Sequence, residues 1–436
     1  MLSFYHDAVA KMMNTTAKDP CSWIFQWYTH AVKSSTTKAA ELSAIYGAGS
    51  SPQKTLATQM WDTCQAHMGP PQDEQAFLPW HRMFVFFFES IIRKVSGQPS
   101  FTLPYWDYSA AATRDLPAAF RQTGSPLFRA SRNSNSNGGS QIPASQVALT
   151  ALNQPTYGPS GAAPGFDQAI DFGIHGNVHV WVGNNVGMGA VPWAGNDPIF
   201  WLHHCNIDRL WASWNKAGRA NPGGAWLNEA FTFADANCQK VMVKNAAVDQ
   251  IGKLNYTYDR FEPVPAVRPS AVLTSRTHLE SIAGPNAAPG TAGPIALGAA
   301  AVRVELRAAA PSPGPEFAVR MRALPDQSKV YLVLKNSVAA AQPGVVYDVF
   351  LDVPAGTTPS TDDPHYAGTI NFFGTVGMAS MPGGVARTFS LDITDVVRRL
   401  GAQNTLSATP SVLIVPSGQP DAAANPVIGQ IQILEQ

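Results

Sequence analysis

The chain has 436 residues, of which 45% are hydrophobic, so it has enough apolar material for a sizeable core in two or three domains. Charged residues make up only 14%, and 30 Lys and Arg balance 30 Asp and Glu. Because the net charge is zero, the chain is not expected to have the basic surface of a general nucleic-acid-binding protein. The same charge balance argues against an anionic membrane as a partner. Because neither a membrane span nor a signal peptide is visible, the sequence predicts a cytoplasmic protein.

Two segments of the first half have strong helical periodicity. Residues 80–95 place apolar side chains on one face, with Pro79 at the start. Residues 131–165 are rich in Ser, Asn, Gly and Pro, which predicts a long surface loop. Residues 198–217 form a second predicted helix that ends before Gly218.

The composition changes near residue 262. Six Pro and three Gly between residues 262 and 294 predict a linker. Short alternating segments follow, at 302–306, 317–324, 329–335, 345–353, 388–393, 411–415 and 428–434. This pattern is typical of an antiparallel β-sandwich. The predicted architecture is therefore a mainly α-helical bundle over 1–261, a linker over 262–294 and a β-sandwich domain over 295–436.

The histidines are unevenly distributed, since eight of the ten lie before residue 205. His175 and His179 have the spacing that puts two side chains on one face of a helix. His203 and His204 are adjacent and point about 100° apart on a helix, so only one of them is expected to join the first pair. His81 lies in the apolar helix predicted over 80–95. Each histidine alone fits a hydrogen-bonded core residue, but together they favour a metal site.

The donor types narrow the choice of metal. Imidazole suits zinc, copper, iron and nickel. The four cysteines, at 21, 64, 205 and 238, contain no C-x-x-C pair, so neither thiolate-rich zinc nor a disulfide scaffold is predicted. A di-iron bundle needs Glu-x-x-His motifs, which the sequence lacks. An all-histidine site for copper or zinc is left.

The histidine motifs resemble the two copper-binding motifs of the tyrosinase and polyphenol oxidase family, the type-3 dicopper proteins. LPWHR at 78–82, with the helix to Glu89, is similar to the first motif. HGNVH at 175–179 and DPIFWLHHCNIDRLW at 197–211 are similar to the second. Residues 224–259, with Tyr256 and Tyr258, resemble the end of the plant polyphenol oxidase catalytic domain, and the predicted β domain resembles their C-terminal shielding domain.

The resemblance implies two copper ions, each held by three histidines, with O2 as co-substrate. The implied ligands are His30, His67 and His81 for the first copper, and His175, His179 and His204 for the second. In many family members the second and third ligands of the first copper are closer together. The stretch MGPPQDEQ at 68–75 accounts for the longer spacing here.

The resemblance also implies roles around the copper ligands. Asp171 is a candidate for holding the water or acting as the base that deprotonates a phenol, against an ordinary helix-capping role. Cys64 is a candidate for a thioether to His67, against a buried thiol. Phe200, His203 and Asp208 are expected to pack behind the ligands. The substrate-pocket candidates are Gly176, Asn177, Val180, Met188 and Val191, and Phe372 or Phe373 is expected to insert into the site from the β domain.

The implied activity is oxidation of small phenols. It comprises conversion of o-diphenols to o-quinones and hydroxylation of monophenols, with a role in melanin biosynthesis. Gly176 stands where the family has an Asn associated with hydroxylation, so a catechol oxidase is one alternative. Haemocyanin-like oxygen binding and a metal-stabilised structural protein are the others. The β domain is expected either to keep the enzyme latent until residues 262–294 are cleaved or to stabilise it permanently. A copper chaperone and a homo-oligomer are open as partners.

Overall fold

The computed structural model describes residues 1–64, 75–266, 276–281, 293–308, 316–376 and 385–436. Their contacts divide them into two compact units. The first unit comprises Met1–Gly158 and Phe166–Pro265, and the second comprises Pro159–Gly165, Ala266–Val376 and Gly384–Gln436. Residues 159–165 therefore pack with the second unit, although the chain on either side of them belongs to the first.

The first unit is mainly helical. Its α-helices are α1 (Leu2–Asn14), α2 (Trp23–His30), α3 (Lys38–Tyr46), α4 (Pro52–Met60), α5 (Phe77–Ser96), α6 (Ser134–Asn137), α7 (Gly165–Ile170), α8 (Gly176–Val182), α9 (Val191–Ala194) and α10 (Pro198–Lys216). A π-helical turn, Asp171–His175, joins α7 to α8. Strands β1 (Ala230–Ala234) and β2 (Lys240–Lys244) form an antiparallel hairpin. None of the helices in the described parts of the chain is both long and apolar enough to cross a bilayer.

Helices α5 and α10 are the two that the sequence predicted, and both are confirmed. The apolar face of α5 is buried, and Gly97 ends the helix with a left-handed conformation (φ 69°). Asp197 caps α10 by accepting a hydrogen bond from the Ile199 amide at 3.1 Å. The same carboxylate forms a buried bidentate ion pair with Arg132, with N–O distances of 2.6 and 2.8 Å. The start of α10 is thus fixed from two sides.

The β1–β2 hairpin packs on α5. The Phe233 ring lies 5.5 Å from the Trp80 ring and 5.6 Å from the Phe87 ring, measured between centroids. A disulfide between Cys21 and Cys238 ties the hairpin turn to the segment before α2. This disulfide could not be predicted from the sequence, because 217 positions separate the two cysteines and no motif pairs them.

The second unit is built on one sheet. Its strands are β3 (Arg276–Ser281), β4 (Ile295–Ala296), β5 (Val302–Ala308), β6 (Val330–Ser337), β7 (Tyr347–Leu351), β8 (Tyr366–Ile370), β9 (Arg387–Asp392), β10 (Ser411–Pro416), β11 (Val427–Ile428) and β12 (Gln430–Glu435), and its helices are α11 (Phe317–Arg322) and α12 (Thr394–Ala402). Eight strands form an antiparallel sheet in the order β8-β7-β10-β5-β3-β12-β6-β9, and β4 pairs with β11.

This sheet curls towards a barrel instead of forming the predicted two-layer sandwich. Its edge strands β8 and β9 approach each other, since a Cβ on Gly368 would lie 3.1 Å from a methyl group of Leu391. Alternating segments are shared by sandwiches and barrels, so the pattern predicted the strands without predicting how the sheet closes.

Two local predictions need correction. Residues 317–324 were expected to form a strand, but Phe317–Arg322 is a helix with Phe317, Ala318 and Met321 buried. The alternation there also fits one face of a helical turn. Residues 276–281, inside the range 262–294 predicted as a linker, form β3 between β5 and β12. The proline and glycine content of that range obscured one six-residue strand.

Candidate metal centre

Helices α2 and α5 bring together His30 and His81, and these two residues form a first histidine group with Cys64, which follows α4. One possible ligand atom from each lies within 4.8 Å of the other two. His30 is the last residue of α2, and its ring centroid is 5.9 Å from that of His81. The Phe77 carbonyl oxygen lies 2.8 Å from Nδ1 of His81, which orients the ring one turn into α5. The predicted ligand His67 lies outside the described residues, so its role and its thioether stay predictions.

A second histidine group comprises His175, His179, His203 and His204, whose ligand atoms also lie within 4.8 Å of one another. His175 ends the π-helical turn, in which Gly173 has a non-helical backbone (φ −97°, ψ −112°). π-Helical turns are frequent at functional sites. No signal in the sequence marks this turn. The rings of His175 and His179 nonetheless lie 4.5 Å apart, as their spacing predicted.

The backbone and a carboxylate orient the rings of the second histidine group. Nδ1 of His179 lies 2.7 Å from the Met188 carbonyl oxygen. Nδ1 of His175 lies 2.9 Å from the Asp171 carboxylate. Metal-binding histidines commonly donate their other N–H to such groups, which fixes the tautomer and leaves Nε2 for the metal. Asp171 therefore has an orienting contact in addition to any role towards a phenol.

His203 lies close enough to the other three histidines for its ring to be a possible ligand, and its predicted place behind the ligands stays a prediction. The adjacent positions of His203 and His204 on a helix predict that only one of them approaches His175 and His179, yet both do. Their ligand atoms lie within 4.8 Å of those of His175 and His179. The two rings themselves have centroids 5.1 Å apart and planes that differ by 69°. Nδ1 of His203 lies 2.9 Å from the Tyr108 hydroxyl oxygen. The choice of His204 as the ligand stays a prediction.

The two histidine groups adjoin. The rings of His81 and His204 stack with centroids 4.2 Å apart. Phe200 lies 4.2 Å from His204 and 4.9 Å from His30, so it contacts both groups as expected for a residue packed beside the ligands. Phe77 was not among the predicted site residues. Its ring lies between His81 and His175, with centroid distances of 4.7 Å and 4.6 Å. It precedes the motif and carries no polar atom that could have marked it.

The electrostatics suit neutral imidazole ligands. Burial lowers the pKa of His30 to about 3, and burial also lowers the pKa of His81, His179, His203 and His204 below the usual range. Within the described part of the chain, both ring nitrogens of His204 and Nε2 of His203 are buried without a hydrogen-bond partner. Such a group costs about 1–3 kcal/mol, which metal ligation would offset. Copper or zinc therefore fits this donor set.

Asp208 lies behind the second histidine group, one turn after His204. It forms a buried ion pair with Arg82, the residue after His81, at 2.5 Å. The hydroxyl groups of Tyr256 and Tyr258 each donate to its other oxygen at 2.5 Å. This network joins α5 to α10 next to the two histidine groups.

The other predicted site residues fall in two places. The pocket candidates Gly176, Asn177, Val180, Met188 and Val191 are all buried on and beside α8. The Asn177 amide donates to the Gln146 carbonyl at 3.1 Å. Phe372 and Phe373 are buried residues of the second unit, and the Phe372 ring packs on Tyr347 of β7 at 5.7 Å. Their roles towards a substrate stay predictions.

Two adjoining groups of buried histidines fit a two-metal centre, and comparison with known proteins points to one family. The common central domain of tyrosinase matches residues 20–164 and 128–217, and a domain of unknown function (DUF7868) matches residues 287–436. Residues 20–217 therefore belong to the tyrosinase and polyphenol oxidase family, and this match implies a copper oxidase.

The similarity to relatives extends over most of the chain. Tyrosinase HcTyr1 of Hahella sp. (strain CCB-MM4) is 27% identical over 99% of this chain and 96% of its own length. The chloroplastic polyphenol oxidase of Malus domestica is 26% identical over 67% of this chain and 56% of its own length. The structure of latent apple tyrosinase has a TM-score of 0.64 at 21% identity and covers 100% of this chain and 94% of that chain, which demonstrates a common fold.

Proposed function

We propose that the protein is a dicopper phenol oxidase that uses O2 to oxidise o-diphenols to o-quinones and to hydroxylate monophenols. The observation that carries the proposal is the stacking of His81 on His204, because it joins two groups of buried histidines into one centre. In this proposal His30, His67 and His81 hold the first copper, and His175, His179 and His204 hold the second. The bound copper ions supply the binding and reduction of O2.

The chain's own contribution is orientation and exclusion of water. Asp171 and the Met188 carbonyl hold the rings of His175 and His179 by their Nδ1 atoms. Phe77 and Phe200 cover the imidazole rings with apolar surface. In a site shielded from water, electrostatic interactions with a bound phenol are stronger than in solvent. In diphenol oxidation, two o-diphenol molecules each lose two electrons and two protons, and one O2 becomes two water molecules. In monophenol hydroxylation, one oxygen atom of O2 enters the ring and the other leaves as water, so that the product is the o-quinone.

Hydroxylation of monophenols is the finer part of the proposal. Similarity to the tyrosinase HcTyr1 over 96% of its length supports this part. In this chain the Asn associated with hydroxylation is replaced by Gly176, and Asn177, the next residue, is hydrogen-bonded to Gln146. We therefore expect monophenol hydroxylation to be slower than diphenol oxidation. A role in melanin biosynthesis follows from the same activity.

Latency is a second finer part of the proposal. The fold shared with latent apple tyrosinase supports inhibition that ends when the second unit is cut from the first. Because β3 lies between β5 and β12, a cut inside residues 276–281 would break the sheet of the second unit. The cut that tests latency therefore belongs between residues 263 and 275.

The cellular compartment of the protein is a third finer part of the proposal. The Cys21–Cys238 disulfide is typical of proteins from oxidising compartments, and it weighs against the cytoplasmic location predicted from the sequence. We propose that the protein works where this bond is stable. Mass spectrometry of the protein alkylated directly in its native cell extract tests this: an alkylated Cys21–Cys238 pair would contradict it.

The direct test of the function is O2 uptake by copper-loaded protein. A catechol and then a monophenol are offered, before and after cleavage between residues 263 and 275. The variant His204→Ala should abolish uptake. The matched control His6→Asn should retain it, because the His6 side chain is 43% exposed and pairs with its neighbour Asp7. Uptake with catechol alone would overturn the hydroxylation part. Two bound coppers without uptake in either form would refute an oxidase and favour oxygen binding.

A further inference from the structure

Asp167 is a buried carboxyl group on α7 with no role in the site described above. Its Oδ1 atom accepts hydrogen bonds from the Leu78 amide at 3.2 Å and from the Tyr157 hydroxyl at 2.9 Å. Leu78 is the second residue of α5, and the N-cap residue of that helix, Ala76, has no side chain that can cap it. Asp167 therefore supplies the missing cap from another segment of the chain.

The capped turn is the one that orients His81. Phe77 begins α5, its carbonyl oxygen lies 2.8 Å from Nδ1 of His81, and its ring packs against both His81 and His175. Asp167 also lies eight residues before His175, on the helical stretch that continues through the π-helical turn into α8. One carboxyl group thus joins the beginnings of the two segments that carry the two histidine groups.

The carboxyl group is itself held in place. The Asp167 amide donates to the Tyr157 carbonyl at 3.0 Å, and the Phe166 amide donates to the Thr156 carbonyl at 2.9 Å. The Tyr157 hydroxyl also lies 3.2 Å from the Gln75 carbonyl oxygen. Its ring packs on Trp226 at 5.5 Å. Because Asp167 is held by these contacts, it can hold the first turn of α5 in place.

We propose that Asp167 is a positioning residue of the metal centre, which sets the position of His81 relative to His175 by capping the first turn of α5. The inference rests on the proposed dicopper function, because it assigns Asp167 an effect on copper held by His81. The simpler alternative is that Asp167 stabilises the fold alone. The two accounts differ in whether copper affinity at the first site changes.

The test compares Asp167→Ala with Asp167→Asn. Copper content per chain and copper retention against a graded chelator are measured, together with thermal unfolding. Loss of the acceptor in D167A should weaken the first copper about 10- to 100-fold, the range found when groups behind metal ligands are removed, and should leave the second copper at wild-type affinity. D167N keeps an oxygen acceptor at the same place, so it should restore binding at the first site to within about threefold of wild type.

Two results would overturn the inference. One is a D167A protein that melts earlier but retains both coppers as the wild type does. The other is D167N losing the first copper as D167A does, since the acceptor would then not be the cause. If D167A does not fold, Tyr157→Phe replaces it. This variant keeps the ring and removes one donor, and it supports the inference by weakening only the first copper or overturns it by leaving both unchanged. A wild-type protein that binds no copper would refute the proposed function instead.

Discussion

Removal of the Asp208 charge is expected to destabilise the first unit strongly. In Asp208→Asn, the guanidinium of Arg82 stays completely buried but loses its carboxylate partner. Breaking a buried ion pair by removing one partner typically costs about 3–5 kcal/mol, because the remaining charge is uncompensated. Arg82 keeps its hydrogen bond to the Val248 carbonyl at 2.9 Å and its position 3.5 Å over the Trp211 ring. We therefore expect the lower end of that range, about 3 kcal/mol.

Tryptophan fluorescence can measure this loss in the full chain. All 11 tryptophans lie between Trp23 and Trp226, and none belongs to the second unit. Their emission during a urea titration therefore reports unfolding of the first unit alone. With a urea dependence of about 3 kcal/mol per molar, a loss of about 3 kcal/mol lowers the midpoint by about 1 M.

The matched control is Asp115→Asn in the same unit. Asp115 pairs with Arg121 at 3.2 Å, but the two side chains are 32% and 28% exposed. Such an ion pair contributes about 0–1 kcal/mol, so the midpoint should move little. A D208N midpoint within about 0.2 M of the control, which is roughly the precision of such a titration, would refute the buried-charge argument. The same result in a protein that still binds two coppers would also show that the link between α5 and α10 is dispensable.

Three further outcomes are expected in the same assay. Reduction of the Cys21–Cys238 disulfide, which closes a loop of 217 positions, should destabilise the first unit by at most about 5 kcal/mol, whereas Cys238→Ser should not respond to reductant. Asp197→Ala removes the cap of α10 and leaves Arg132 buried without its partner, so a loss of about 4 kcal/mol is expected, and one below about 1 kcal/mol would contradict the assignment. Burial raises the pKa of Asp167, next to Tyr157, well above its usual range, so the wild type should lose stability as pH rises from about 4. D167N should lack this loss, and parallel pH profiles of the two proteins would disprove the shift.

Helices α5 and α10, which carry His81, His203 and His204, could be predicted because several local signals agreed. In α10 the apolar period, the Asp197 cap and Gly218 all indicate the same boundaries. The i, i+4 spacing of His175 and His179 likewise holds, since the π-helical turn ends at His175 and the residues from there to His179 follow the regular turn of α8. These signals depend only on neighbours in sequence.

The features of the fold and the site that could not be predicted depend on contacts between segments distant in sequence. The Asp167 cap of α5 joins positions 89 residues apart, and no motif marks it. Closure of the β sheet is decided by the approach of β8 and β9, which the alternation of single strands does not encode. In 317–324, tertiary packing of Phe317 and Met321 favoured a helix over the strand that the alternation predicted.

The buried carboxylates around the metal centre also bear on which metal it binds. Asp167, Asp171, Asp197 and Asp208 lie on the helices of the centre, yet their oxygens contact backbone amides, hydroxyls, an imidazole or guanidinium groups. Calcium and magnesium need oxygen ligands, so carboxylates engaged in this way are poor sites for them. The imidazole nitrogens are left as ligands, which favours copper or zinc. We therefore expect millimolar calcium or magnesium to leave the copper content of dialysed protein unchanged, and displacement of copper by either ion would show that a carboxylate binds the metal directly.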